Sequence, residues 1–176
     1  MRWRCWQWSA VVLALLLVAA SPTQAADVLG IEALADEVPR FALVSADGGP
    51  PLVNANLRGK TALLHFWATW CTPCKEELPA LERLASGFDP THFVVVLVAI
   101  DTHVTPAEVL AYARDLGVRL PVYVAQAGGV SDSFWGWGLP VSYLINDAGQ
   151  FIGRLRGPRA WTEPNVQRAL AALHRP

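Results

Sequence analysis

The chain has 176 residues, of which 53% are hydrophobic and 16% charged, with a formal net charge of −1. That balance supplies a core for one domain of ordinary size and excludes general disorder. It also lacks the basic excess of a nucleic-acid-binding chain, so no nucleic-acid partner is expected.

The chain opens on a targeting pattern. Arg2 and Arg4 precede an apolar run over residues 10–20, and small residues then lead to Ala25. This reads either as a signal peptide, residues 1–25, cleaved after Ala25, or as a retained N-terminal membrane anchor. The run is shorter than the ~20 apolar residues of a spanning helix unless Trp6 and Trp8 are counted. Both readings export the domain expected over residues 26–176. Cleavage would also remove Cys5, and no cysteine follows the small residues, so a lipid-modified N-terminus is not expected.

Residues 26–40 read as a short helical or irregular lead-in ending at Pro39. Two short strands, 41–44 and 52–53, flank the turn residues Asp47, Gly48, Gly49 and Pro50, which predicts a hairpin. Residues 61–67 form a continuous apolar run of the length of a buried central strand. The period then changes. Leu78, Leu81, Leu84 and Ala85 fall at helical spacing, which predicts a helix from near Pro73 to near Gly87. Residues 92–100 are the strongest buried-strand signal in the chain.

Thr105, Pro106 and Glu108 mark a helix start, and Gly117 marks its end. Residues 120–124 read as a short strand. Residues 129–138 hold a short helix or a glycine-rich loop around Phe134, Trp135 and Trp137, whose rings either shape a groove or simply pack. Strand, turn and strand follow over 141–145, 146–149 and 151–155, and an amphipathic helix closes the chain over 163–173. Strand–helix–strand units imply a parallel centre and the late hairpin adds antiparallel strands, so the class is α/β with a mixed central sheet flanked by helices.

Without Cys5 the exported part keeps two cysteines, Cys71 and Cys74. A bridge across two intervening residues removes little chain entropy, so the pair is better explained by chemistry than by stability. Cys71 sits at a strand-to-helix junction, where free N–H groups and the helix dipole stabilise a thiolate. Cys74 lies one turn further in. Cys71 is therefore expected to attack and Cys74 to resolve the mixed disulfide. Pro73 fits the first helical turn, where its missing donor costs nothing. Half a zinc site has the same spacing but needs two more ligands. His92 and His103 come from an apolar strand and the loop after it, so no metal and no cofactor are expected.

Residues 66–79, with Phe66, Trp67, Ala68, Thr69, Trp70, the Cys71–Thr72–Pro73–Cys74 pair, Lys75, Glu76, Glu77, Leu78 and Pro79, closely resemble the TlpA/ResA/CcmG branch of the thioredoxin superfamily. Leu57, Arg58, Gly59 and Lys60 resemble the branch's turn before the central strand. Gly138, Leu139, Pro140, Val141, Ser142, Tyr143, Leu144, Ile145 and Asn146 resemble its cis-proline strand. The resemblance covers roughly residues 38–174. It implies a thioredoxin-like fold with an N-terminal β-hairpin and a TlpA-type βα insertion, an exported thiol–disulfide oxidoreductase activity, and Pro140 as a cis-proline facing the cysteines.

The resemblance also implies that Leu139 offers backbone groups to a substrate strand and that Glu77 is the branch's buried acid, suited to proton transfer. The alternative for Glu77 is a solvated carboxylate like its neighbour Glu76. Trp70, Thr72, Pro73 and Leu139 are the candidates for lining a substrate groove, while Trp67 is expected in the core and Lys75 in solvent. His65 departs from thioredoxin, which has a buried acid six residues before its first cysteine. It reads either as a core histidine satisfied by a backbone carbonyl or as a relay for the Cys74 proton.

The reductase of this kind takes electrons from a membrane thiol transporter. It passes them to exported client disulfides, in cytochrome c maturation or copper-centre assembly, and is expected in the periplasm or another extracytoplasmic space as a monomer. A disulfide oxidase or isomerase differs only in redox poise. A peroxidase of the peroxiredoxin kind would want threonine three residues before the reactive cysteine, where this chain has Ala68. A Cu(I) chaperone would use the two thiolates as a soft site, without methionine support in the exported part.

Overall fold

The structure is a computed structural model, and it describes residues 22–126, 134 and 138–174. The apolar segment that opens the chain lies outside these residues, as do Trp135 and Trp137. Among the described residues no helix is long and apolar enough to cross a membrane.

Helix α1 (Pro22–Leu29) is followed by β1 (Ala42–Ser45), β2 (Leu52–Val53), a 3₁₀ turn (Asn54–Leu57), β3 (Thr61–Trp67) and α2 (Thr72–Ala85). Then come β4 (Phe93–Ala99), α3 (Pro106–Asp115), β5 (Val122–Val124), β6 (Val141–Ile145), β7 (Phe151–Arg156) and α4 (Pro164–Leu173). The seven strands form one sheet in the order β2-β1-β5-β4-β3-β6-β7. β3, β4 and β5 run parallel, β1 joins β5 and β6 joins β3 antiparallel, and β7 pairs antiparallel with β6. This is the mixed sheet that the patterning predicts and that the resemblance implies as thioredoxin-like, and β1 and β2 form the expected hairpin. Between the cysteine-bearing helix and β6 the chain runs through β4, α3 and β5.

Local chemistry explains the element ends. The Thr105 hydroxyl accepts from the Glu108 N–H, and the Glu108 carboxylate accepts from the Thr105 N–H at 2.8 Å, a reciprocal cap that starts α3. The lead-in differs from expectation in being helical further upstream. Helix α1 runs through Ala25, and both Ala25 and Leu29 are buried in the core. The boundary read after Ala25 therefore falls inside a helix. Beyond α1, Glu32 bridges to Arg154 of β7. Gly153 permits that approach, because a Cβ there would lie 2.6 Å from the Glu32 carbonyl oxygen.

Every residue of β3 is buried, and its two faces serve two clusters. Leu63 and Trp67 pack with Cys74, Leu78 and Leu81 of α2, and with buried residues of α1, α3 and α4. Ala62, Leu64 and Phe66 pack on the opposite side with Phe41, Val98, Phe134 and Tyr143. The alternation of a strand thus puts His65 on the face beneath the helices.

Candidate active site

The site forms at the edge where β3 and β4 end and β6 begins. Phe66 pairs with Val141, so Pro140 emerges at the same edge as Trp67 and the loop that leads to Cys71. Ala99 pairs with Trp67, which brings Asp101 to that edge as well. The Leu139–Pro140 peptide is cis, and Gly138 before it adopts φ +95°. The Pro140 carbonyl accepts from Gly157 N–H at 2.9 Å.

Cys71 is the N-cap residue of α2, and Pro73 occupies the first turn. The Cys71 N–H donates back to the Ala68 carbonyl at 3.0 Å, closing the loop tightly before the helix begins. Cys71 and Cys74 form a disulfide with Cα atoms 5.3 Å apart. The two differ in access: Cys71 is 6% exposed and Cys74 is fully buried. Trp70 stands out at 67% exposure, Thr72 and Pro73 are exposed, and Leu139 is half-buried. Trp67 packs in the core, and the half-buried Lys75 places its ammonium 5.8 Å from the Tyr112 ring centroid.

Glu77 is only 5% exposed, unlike Glu76 beside it, which is exposed. Its Oε1 accepts two hydrogen bonds, from the Arg159 N–H at 2.6 Å and from the Trp161 Nε1–H at 2.7 Å. Its Oε2 is buried without a hydrogen-bond partner among the described residues. Burial pushes the carboxyl up from 4.5 to about 7, against the pull of the two donors and of the Arg159 charge. The group can therefore hold or release a proton near neutrality.

His65 is fully buried, and burial drives it down to about 3, so the ring is neutral at physiological pH. Its partner is not a backbone carbonyl, as expected, but a hydroxyl: Nδ1 and Ser142 Oγ lie 2.9 Å apart, on paired strands. The reason is its interior place in β3, where the ladder occupies the neighbouring carbonyls. Nε2 is buried without a partner among the described residues, and the ring meets Trp161 edge-on at 6.4 Å between centroids.

Three site residues escape the sequence reading. Asp101 is buried and its carboxylate clamps the loop before the cysteines, accepting from the Thr69 hydroxyl at 2.6 Å and the Thr69 N–H at 3.1 Å. Its signal was an acid just past the most apolar strand. Arg159 and Trp161 lie in the turn after β7, where only a tryptophan among turn residues hinted at a role. Among the described residues, no cluster of three or more His, Cys, Asp or Glu is placed to hold a metal.

Residues 34–152 match the AhpC/TSA family. The chain belongs to that family. Its sequence is 30% identical over 121 residues to the thiol–disulfide oxidoreductase ResA of Bacillus subtilis, covering 69% of this chain and 66% of the relative. ResA of Bacillus thuringiensis is 27% identical over 121 residues, covering 69% and 68%. A crystal structure of a thiol:disulfide interchange protein from Chlorobium tepidum is similar with a TM-score of 0.64 and 28% identity, over 81% of this chain and 99% of that one. The thioredoxin-like fold, these relatives and a cysteine pair at disulfide distance identify a thiol–disulfide oxidoreductase of the ResA type.

Proposed function

We propose that the chain is an exported reductase of client disulfides, with Cys71 as nucleophile, Cys74 as resolving thiol and Glu77 as the acceptor of the Cys74 proton. The observation that carries this reading is the asymmetry along α2. The less buried cysteine caps the helix, the fully buried one lies one turn in, and a half-satisfied buried carboxyl follows three residues later.

The Cys71 thiolate, favoured by the helix start, attacks one sulfur of a client disulfide. The client S–S bond breaks and its other sulfur leaves as a thiolate. Cys74 then gives its proton to Glu77, and its thiolate attacks the Cys71 sulfur. The Cys71–Cys74 bond forms, the mixed disulfide breaks, and the client departs with two electrons more than it brought. A membrane thiol transporter returns the pair to the dithiol by the same exchange in reverse.

Trp70, Thr72, Pro73 and Leu139 form the rim that meets the client, beside the cis Pro140. His65 is the poorer proton acceptor of the two buried bases, because its imidazole resists protonation far below neutrality. A peroxidase reading is less well supported, since Ala68 stands three residues before Cys71. Export rests on the opening segment of the sequence, and clients in cytochrome c maturation or copper-centre assembly rest on the family resemblance.

The test is a redox titration of the Cys71–Cys74 couple. The expected potential lies below about −200 mV, on the thioredoxin side of the range, and a value near ~−120 mV makes the protein an oxidant instead. In an insulin-type disulfide reduction assay Cys71→Ser should abolish activity, and Cys74→Ser should accumulate mixed disulfides.

A further inference from the structure

Glu77 receives both of its hydrogen bonds on one oxygen. The Arg159 backbone N–H and the Trp161 indole N–H both point at Oε1, while Oε2 is buried with no partner among the described residues. A carboxyl oxygen offers two in-plane lone pairs, so two donors leave Oε1 no site for a proton. Protonation there would expel a donor and strand a buried N–H, which structures avoid. We propose that Trp161 and the Arg159 N–H act as a cradle that decides which Glu77 oxygen carries the proton, reserving Oε1 for docking and Oε2 for proton exchange. Trp161 is then a positioning residue, and this inference rests on the proposed role of Glu77.

The cradle is rigid for physical reasons. Trp161 is fully buried in the cluster beneath the helices, and its ring is held edge-on by His65. Its indole is a donor only, so it cannot turn to accept a proton and can serve no acid except as an anchor. The Arg159 donor belongs to the backbone and cannot swing away. The charged and titratable groups around Glu77 are few. Arg159 contributes its guanidinium from the turn after β7 and is itself coupled to Glu32. His65 stands behind Trp161 on β3, Cys74 lies one turn back on α2, and Glu76 beside Glu77 is exposed. Docking one oxygen leaves the other as the fixed end of the route for the Cys74 proton: the S–H bond breaks and an O–H bond forms at Oε2.

The experiment is an NMR pH titration of the oxidised protein, following the Glu77 side-chain carboxyl carbon and the Trp161 indole N–H together. The expected result is one shared midpoint, with the indole proton staying hydrogen-bonded and protected from exchange on both sides of it. In Glu77→Gln the indole signal should become independent of pH. In Trp161→Phe, which removes a donor favouring the charged form, the Glu77 midpoint and the pH profile of resolution should rise together by about half a unit or more.

An indole signal that reverts to a free, exchangeable position below the midpoint overturns the inference, because Oε1 then takes the proton. So does an indole signal that ignores the Glu77 titration. Both readouts use the unmutated chain, so a Trp161→Phe variant that fails to fold leaves the test intact. A shared midpoint with resolution rates unchanged by pH supports the cradle and sinks the proposed role of Glu77 in resolution. A pH-dependent resolution that follows Glu77 with a silent indole does the reverse.

Discussion

Two buried carboxylates flank the cysteine pair, and they are satisfied in different ways. Asp101, just past β4, spreads its acceptance over both oxygens, and all three contacts go to Thr69 in the loop before Cys71. Glu77, on α2, concentrates two donors on one oxygen and leaves the other bare. A carboxylate whose two oxygens both accept from one loop residue serves as a clamp on that loop. One satisfied on a single oxygen, in a buried place, has its proton affinity raised and keeps a site where a proton can sit. Residue type alone makes the two acids equal, and their donors make one structural and the other chemical.

The largest expected effect lies in kinetics. Glu77→Gln should slow resolution of the mixed disulfide at pH 7 by about 10²-fold, the lower end of general acid–base contributions. Asp101→Asn, which keeps an acceptor for Thr69, should stay within about twofold of the parent. Single-turnover measurements on both variants check this, and equal slowing would erase the distinction between the two acids.

Stability should show the opposite order. Asp101→Ala removes every acceptor from the Thr69 hydroxyl and N–H, and should cost about 2 kcal/mol in a urea melt. Asp101→Asn should cost less than half of that. Glu77→Gln should cost little at neutral pH, because it replaces a buried acid by a neutral amide that still accepts at one oxygen.

The least abrupt effect, spread over pH units, is a slope in stability with pH. The folded Glu77 carboxyl sits at about 7 against 4.5 unfolded, so between these values the folded state holds the extra proton and stability falls as pH rises. The folded His65 imidazole sits at about 3 against 6.5, so between these values the unfolded state holds the extra proton and stability rises with pH. From pH 4.5 to 6.5 the two contributions oppose each other in the parent. Glu77→Gln should uncover a rise over that window, and His65→Asn a fall from pH 4.5 to 7, each at most ~1.4 kcal/mol per pH unit. Denaturant melts across that range check it, and parallel slopes in the two variants would contradict both assignments.

Much of the fold was legible because its signals are local. The apolar runs of β3 and β4, the Thr105–Glu108 cap and the turn at Asp147–Gly149 each lie within a few residues, and each element formed within about two residues of its expected bounds. The upstream start of α1 was not legible, because a stretch rich in small residues takes its helix from packing of Ala25 and Leu29 against α4. The cysteine pair and its order of burial were legible from a strand-to-helix change of period. Glu77 and Pro140 needed the family resemblance. Nothing in composition distinguishes Glu77 from Glu76, and a cis bond is a minority state for any X–Pro pair.

By itself, then, the sequence determined the element order, the strand–helix junction that carries Cys71, and the apolar faces that bury Cys74. These follow from periodicity and backbone chemistry, which act over one or two turns of chain. Tertiary structure alone decided which donors each buried acid meets. Trp161 reaches Glu77 across 84 residues, Asp101 reaches Thr69 across 32, and Ser142 reaches His65 across 77. The proton affinity of a side chain depends on the water it loses and the donors it meets, and both are set by residues that only the closed sheet and the turn after β7 bring together.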